Sequence, residues 1–380
     1  MKHAALAIVV ALLVVAGCAA SPSPGPSATP RPTQPAGSPT PAPSLGFAWT
    51  AATVPPSKVS AVSLSIVPGG DGLVATGYDG AFGSILWTST DGSVWRDITP
   101  PDFESAGLVS VVPFEGGLLA VGRGDTFDVD TETAAAWISE NGTSWRRVAG
   151  GPDMVGQLID VVATDRGLYA VGGVPGDDAA GIWHSADGEN WERTGGDFGG
   201  AFMWSIAEGG PGLVVTGWRR NPEPDLAIWT SADGIDWTLA PDPEGFKGFE
   251  GVDVIDADGT LVIVGNSLVE AREARIWTSE DGLTWKLADI AGSLTNASMR
   301  KLLATPSGIV AVGGHGNDAA AWISSDGLTW DALGETVPNA FFNAAFLNGD
   351  TIVVAGATQE GTTETGIDVY AKLWHGAAGN

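Results

Sequence analysis

Aromatic and basic side chains form the group in this sequence best suited to binding a ligand. Trp218 is followed directly by Arg219 and Arg220. Aromatic rings beside guanidinium groups suit a sugar ring or a peptide, through stacking and charge-assisted hydrogen bonds. The predicted ligand-binding residues are Trp204, Trp218, Arg219, Arg220, Tyr78 and Arg123. For Trp204, packing between neighbouring strands is the alternative interpretation.

Three carboxylates form a second group. Asp128, Asp130 and Glu132 alternate along the chain, as at the start of a calcium-binding loop. The central glycine and the distal glutamate that complete an EF-hand loop do not follow. A solvated acidic loop is therefore the competing interpretation, and we assign no metal site.

Other kinds of chemistry find little support in the sequence. Two of the four histidines, His184 and His375, directly follow a repeated tryptophan and are most simply strand residues. No phosphate-binding glycine motif and no Ser-His-Asp arrangement stands out. We assign no catalytic residue and expect no cofactor.

The elements that must position these residues come from a repeat. The pattern W-[TIH]-S-x-[DN]-G-x-x-W recurs about every 45 to 50 residues, a period typical of four-stranded propeller blades. Its six copies are Trp87–Trp95, Trp137–Trp145, Trp183–Trp191, Trp229–Trp237, Trp277–Trp285 and Trp322–Trp330. A seventh first tryptophan, Trp374, lacks its partner, whereas Trp49 near the start of the repeat region has only the second half.

The split copy predicts the fold class: an all-β, seven-bladed propeller, closed by an N-terminal outer strand that completes the C-terminal blade. Closure of this kind removes exposed strand edges. An open solenoid is the alternative. In a propeller, the loops after each second strand gather on one face around the central channel, where the candidate binding residues are expected. The inner-strand residues expected to border the channel are Ser65, Ser110, Asp160, Ser205, Asp253, Lys301 and Asn343.

The Asp-Gly or Asn-Gly pair predicts a hairpin between strands three and four. We favour a three-residue loop, Thr90 to Gly92, with glycine in the left-handed conformation. This loop would place Trp87 directly across from Trp95, so that each tryptophan pair packs in the core. The turn residues expected to be structural are Asp91, Asn141, Asp187, Asp233, Asp281 and Asp326.

The S-x-D-G-x-x-W pattern resembles the Asp-box, or BNR, repeat of sialidases, sortilin-like receptors and the photosystem II stability/assembly factor. It is one residue shorter between Asp and Trp than that repeat. Paired glycines, such as Gly172-Gly173, are also similar to kelch repeats. The resemblance implies that the box is a structural hairpin on the face away from the binding face. It also makes a sialidase-like glycoside hydrolase the alternative function, although the Phe-Arg-Ile-Pro sequence of those enzymes is missing.

The N-terminal region predicts export and lipid anchoring. Residues 1–17 have the pattern of a signal peptide, and Val15 to Cys18 resembles a bacterial lipobox. Residues 18–44 comprise the lipidated Cys18 and a Pro/Ser/Thr-rich linker, which cannot bury a core and would act as a spacer. Residues 45–380 form the propeller. We expect the protein at the cell surface or in the periplasm, touching the membrane only through its lipid anchor.

The formal net charge of −27 makes nucleic acid a poor partner. The sequence thus predicts a monomeric, non-catalytic binding or assembly scaffold whose partner is an extracellular protein or a glycan. The alternatives are the sialidase-like hydrolase and a purely structural component of the envelope.

Overall fold

Seven four-stranded antiparallel sheets make up the computed structural model of the chain, arranged as the blades of a β-propeller. The predicted fold class is confirmed. The structure describes residues 47–57, 62–79, 83–104, 106–124, 133–148, 154, 156–174, 179–196, 198–220, 223–241, 245–268, 272–288, 294–362 and 366–378.

The strands of each blade follow one another along the chain. Blade one contains Val62–Gly69, Gly72–Asp79, Gly83–Ser89 and Arg96–Asp97. A 3₁₀ helix, Pro101–Glu104, leads to blade two, with Gly107–Phe114, Gly117–Arg123, Ala134–Ser139 and Arg146–Arg147. Blade three contains Gln157–Thr164, Gly167–Val174, Ala179–Ser185 and Glu192–Arg193. Blade four contains Ala201–Gly209, Gly212–Arg220, Pro224–Ser231 and Thr238–Leu239.

The remaining blades repeat this order. Blade five contains Phe249–Ala257, Thr260–Ser267, Ala274–Ser279 and Lys286–Leu287. Blade six contains Ala297–Thr305, Gly308–His315, Asp318–Ser324 and Asp331–Ala332. Blade seven contains Ala340–Asn348, Thr351–Thr362 and Gly366–Ala378, and its outer strand is the N-terminal Phe47–Ala51.

Ring closure joins the two ends of the described chain. The N-terminal strand pairs antiparallel with the last strand, with Trp49 opposite Gly376 and Ala51 opposite Trp374. Backbone groups of the last strand that would otherwise form an open edge are thereby paired. The predicted completion of blade seven is confirmed.

The core lies between the blades and is built on the repeated tryptophans. Trp183 is fully buried, and Trp191 packs in the same cluster, which also includes Leu119 and Val121 of blade two. Each of the other six pairs likewise shares one apolar cluster. Fully burying a large apolar side chain stabilises the folded state by roughly 1.5–3 kcal/mol, so the buried tryptophans contribute strongly to packing between neighbouring sheets.

The predicted register of the third hairpin is wrong. Trp87 pairs with Asp97, and Thr88 pairs with Arg96, so Trp95 lies in the turn and not in the ladder. The turn is longer because the Ser89 hydroxyl accepts the Gly92 N–H at 2.9 Å, and the Trp95 indole N–H donates to the Gly92 carbonyl at 2.9 Å. Gly92 has the expected left-handed conformation, with φ of 87°.

The carboxylate of the repeat caps this turn. Asp233 Oδ1 accepts the N–H groups of Ile235 and Asp236 at 2.9 and 3.0 Å. Such bonds favour the ionised carboxylate. Hydrogen bonds from the Asn190 and Thr284 backbones lower the pKa of Asp187 and Asp281, in each case to about 2.

Asp233→Ala should lower the melting temperature at pH 7, by roughly 2 °C, because two turn N–H groups lose their acceptor. The pKa of Asp233 is lowered in the folded state, so its contribution is present above its unfolded value and is lost as the pH falls. Thermal unfolding of both proteins from pH 7 to pH 2 should therefore show the difference shrinking in acid. An equal melting temperature at pH 7 would contradict a structural role for the turn carboxylate.

A β-bulge in every inner strand shapes the channel wall. One residue of each inner strand lacks a partner in the second strand. These bulged residues are Leu64, Val109, Ile159, Trp204, Val252, Arg300 and Asn343. Bulges re-aim side chains and bend a strand locally. The second strand carries a glycine beside each bulge, and at Gly217 a Cβ atom would overlap the Phe202 carbonyl oxygen.

Candidate functional site

In blades one to six, the inner-strand residue directly after the bulge is polar, as the sequence predicted. We call these residues the polar column. Ser205 pairs with Thr216, Asp253 with Val264 and Lys301 with Val312, all in the first register position after the bulge. Ser65, Ser110 and Asp160 hold the same position in blades one to three. The prediction for Asn343 is wrong by one residue: Asn343 is itself the bulged residue, and Ala344 takes the column position.

The column forms a hydrogen-bonded belt from blade two to blade six. Ser110 Oγ donates to Asp160 Oδ1 at 2.9 Å. Ser205 Oγ lies 2.9 Å from Asp160 Oδ2 and 2.9 Å from Asp253 Oδ1. Lys301 Nζ lies 2.8 Å from Asp253 Oδ1. Each member comes from a different blade, so the belt ties the inner strands together around the channel.

The two belt carboxylates also bind the main chain of the following blade. Asp160 Oδ2 accepts the Ile206 N–H at 3.2 Å, and Asp253 Oδ2 accepts the Leu302 N–H at 2.7 Å. Burial raises the pKa of Asp253, which is 1% exposed. Burial opposes the charge on Lys301, yet the Asp253 and Asp160 carboxylates hold the pKa of Lys301 above its ordinary value. The belt is therefore a polar network that contains the structural ion pair of Asp253 and Lys301.

An aromatic cluster lies beside the belt in blade four. The rings of Phe202 and Trp204 have centroids 4.6 Å apart, and Phe202 stacks on Trp218 at 6.3 Å with an interplanar angle of 10°. Trp204 and Trp218 are both half-buried. The bulge places Trp204 one residue before Ser205, at the edge of the polar belt. We call Phe202, Trp204 and Trp218 the aromatic cluster.

Charged groups adjoin this cluster. The Trp204 indole N–H donates to Glu250 Oε2 at 3.0 Å, across the boundary between blades four and five. Burial raises the pKa of Glu250, and Arg300 opposes that rise. Arg300, the bulged residue of blade six, is an exposed residue that interacts electrostatically with Glu250. An acidic side chain, Glu250, and a basic one, Arg300, thus lie next to the aromatic cluster.

The remaining predicted binding residues occupy the ends of second strands, on the same face. Tyr78, Arg123 and Trp218 hold equivalent register positions in blades one, two and four. The Arg123 guanidinium lies over the Tyr78 ring, 5.7 Å from its centroid. Arg219 is half-buried and Arg220 is exposed, directly after Trp218. The structure therefore groups Trp204 with Trp218 and Tyr78 with Arg123, in two separate places.

Sequence reasoning missed Phe202, Glu250 and Arg300 as site residues. A phenylalanine within an apolar strand reads as core, and Phe202 does pack between two tryptophans. Glu250 meets Trp204 across 46 residues of sequence. The sequence does contain one signal for Arg300. Arg300 directly precedes Lys301 as Trp204 directly precedes Ser205, so Arg300 and Trp204 hold equivalent positions in their inner strands.

The predicted acidic loop and the N-terminal region lie outside the described residues. Asp128, Asp130 and Glu132 are not among the described residues, nor are residues 1–46 with Cys18. Within the described part of the chain, no group of three or more His, Cys, Asp or Glu side chains is placed to hold a metal ion. In that same part, no helix has the length and apolar composition needed to cross a bilayer.

Comparisons with known proteins show the fold. No protein-family model matches the sequence, and no curated protein sequence matches it. A puromycin hydrolase S511A mutant complexed with PGG is similar in structure, with a TM-score of 0.51 and 15% identity over 87% of this chain and 55% of that one. A Trypanosoma rangeli sialidase has a TM-score of 0.45 and 14% identity, over 74% of this chain and 56% of that one. A thermostable family-43 glycoside hydrolase has a TM-score of 0.43 and 11% identity, over 85% and 91% of the two chains.

The chain thus spans little more than half the length of the puromycin hydrolase and the sialidase. At 15% identity, the similarity to the puromycin hydrolase concerns the fold alone.

Proposed function

We propose that the propeller is a non-catalytic binding module, which holds a glycan at the mouth of its channel beside blade four. The observation that carries the proposal is the aromatic cluster, because two half-buried tryptophans lie within one group of contacting rings. Such rings offer flat apolar surface with little conformational entropy to lose, and sugars stack on surfaces of this kind.

The polar neighbours of the cluster support a glycan over a purely apolar ligand. Glu250 can accept hydrogen bonds from sugar hydroxyl groups, and Arg300, an exposed residue, can donate them. A few convergent polar groups beside apolar surface are typical of small-molecule sites. The position at the channel mouth leaves the ligand accessible from one face of the ring.

The cellular setting is part of the same proposal. Lipidation at Cys18 would hold the protein on the membrane, and the proline-rich linker of residues 18–44 would carry the propeller away from the lipid. A surface-anchored scaffold of this kind would present the channel mouth to glycans outside the cytoplasmic membrane.

A sialidase-like hydrolase is not favoured by the tyrosine positions. Tyr169 is 3% exposed, and its ring packs against His184 at a tilt of 41° with centroids 4.7 Å apart, which is a packing role. Burial raises the pKa of Tyr169, which makes its hydroxyl a poorer nucleophile.

A thermal-shift screen of the full-length chain against glycans, basic peptides and calcium tests the proposal. A bound glycan at 100 times its dissociation constant should stabilise the protein by about 2.7 kcal/mol. Trp218→Ala should weaken binding roughly 30-fold, the effect of losing about 2 kcal/mol at a central aromatic contact. Leu283→Ala is the matched control, since Leu283 is 42% exposed in a third hairpin at the opposite end of the strands.

Two results would contradict the proposal. If basic peptides stabilise the protein and no glycan does, the partner is a protein. A glycan affinity that is unchanged in Trp218→Ala but reduced in Leu283→Ala would move the site to the other face.

A further inference from the structure

We propose that the ligand is an extended, unbranched oligosaccharide that lies across the channel mouth from blade one to blade four, and not a single terminal sugar. This inference rests on the proposed function. One position in each second strand carries the inference. This position directly follows the glycine that lies beside the bulge of the inner strand. In chain order these seven residues are Tyr78, Arg123, Gly173, Trp218, Asn266, Gly314 and Ala357.

The seven positions divide the mouth into two unequal sides. Blades five to seven contribute no ring at this position: Asn266 is 9% exposed and bonded to the backbone of Met299, Gly314 has no side chain, and Ala357 is buried. The aromatic and cationic side chains belong to blades one, two and four. Among the described residues at this register position, stacking and cationic side chains thus occur on one arc of the ring.

Two separate stacking places lie on that arc. The first is Tyr78 with the Arg123 guanidinium above it, 5.7 Å from the ring centroid. Arg123 lies close over its own blade, because a Cβ on Gly107 would come within 2.6 Å of Arg123 Nε. The second place is the aromatic cluster of blade four, with Glu250 at its far side.

Blade three lies between these two places, and its described residues Gln157 and Gly173 hold the corresponding positions. Gly173 carries no side chain there, and a Cβ on Gly173 would lie 3.4 Å from the Phe202 ring, so this backbone adjoins the aromatic cluster. Gln157 pairs with Gly173 across the sheet and is half-buried. A glutamine amide carries both a donor and an acceptor.

The distance between the two places requires several linked sugars. Packed sheets lie about 10 Å apart, so two blade-to-blade steps, from Arg123 to Trp218, span roughly 20 Å. A monosaccharide cannot contact both places. A linear oligosaccharide can, and its second contact is then an intramolecular event with a high effective concentration.

The test is a chain-length series measured by calorimetry on the full-length protein. Cello-oligosaccharides and chito-oligosaccharides of one to six units are the probes. The longest oligomer of the preferred series should bind on the order of 100-fold more tightly than the shortest, because two places are engaged together. Tyr78→Ala and Tyr78→Leu should remove this gain and leave the affinity for the shortest oligomers unchanged, whereas Trp204→Ala should weaken all lengths.

The outcomes separate this inference from the proposed function. Affinity that depends on Trp204 but does not rise with chain length would overturn the extended-ligand inference and leave the glycan site in place. A length-dependent gain that persists in both Tyr78 variants would also overturn it. Failure of every oligomer to bind would overturn both. Tyr78→Leu keeps an apolar side chain at the position, so a folding defect in Tyr78→Ala alone would not decide the result.

Discussion

Gly217→Ala should lower the free energy of unfolding by about 3 kcal/mol, at the upper end of the cost of overpacking a core. The added Cβ would overlap the carbonyl oxygen of Phe202, and backbone cannot move aside as a flexible side chain can. The bulge at Trp204 creates this close approach. Urea unfolding of both proteins would show the loss as a lower midpoint with an unchanged slope.

Gly195→Ala is the matched control for that prediction. A Cβ at Gly195 would meet only the Ile235 carbonyl oxygen at 3.8 Å, an ordinary contact, so its midpoint should stay close to that of the wild type. Equal midpoints for Gly217→Ala and Gly195→Ala would mean that the bulge does not constrain the second strand. The same comparison in other blades, such as Gly313→Ala, should repeat the effect, because the Ser298 carbonyl approaches there in the same way.

Asp253→Ala should cost about 3 kcal/mol, the lower end of the cost of breaking a buried ion pair. The substitution leaves the Leu302 N–H without its acceptor at 2.7 Å and the Lys301 ammonium group without its carboxylate. The Lys301 side chain is 37% exposed, so channel water relieves part of the loss. Equilibrium unfolding at pH 7 measures it.

A double-mutant cycle with Lys301→Met separates the ion pair from the rest. Asp253→Ala combined with Lys301→Met should be less destabilised than the sum of the two single changes, because the unpaired ammonium group is then removed. Asp253→Asn should recover part of the stability, since its amide oxygen can still accept the Leu302 N–H. Strictly additive costs would contradict a coupled belt.

Much of the fold can be predicted from the sequence, because the same tryptophan pattern recurs once in every blade. Tryptophans at blade spacing predict seven blades, and the split pair of Trp374 and Trp49 predicts the closure that the strand pairing confirms. The hairpin register was wrong for a local reason: the Ser89 hydroxyl and the Trp95 indole both bind Gly92, which lengthens the turn. Side-chain bonds of this kind cannot be read from a turn pattern alone.

The site could be predicted only in part. The polar column was found by aligning the inner strands, but Asn343 was misplaced because a bulge is defined by the partner strand and not by its own residues. The sequence predicts Trp204 and Trp218 as binding residues, yet the contact that links them runs through Phe202, an ordinary core residue by type. Glu250 and Arg300 come from different blades, so only the three-dimensional arrangement brings them to the aromatic cluster.

The most direct test of a binding site at the aromatic cluster is an NMR titration that follows the indole N–H groups of the 16 tryptophans. Trp204→Phe and Trp218→Phe would assign the two cluster resonances. A bound oligosaccharide should shift these two signals and leave unmoved the turn tryptophans, such as Trp285 and Trp330, whose indoles bond to Gly282 and Gly327 carbonyls. Shifts confined to the turn tryptophans would contradict the account and place the ligand at the opposite end of the propeller.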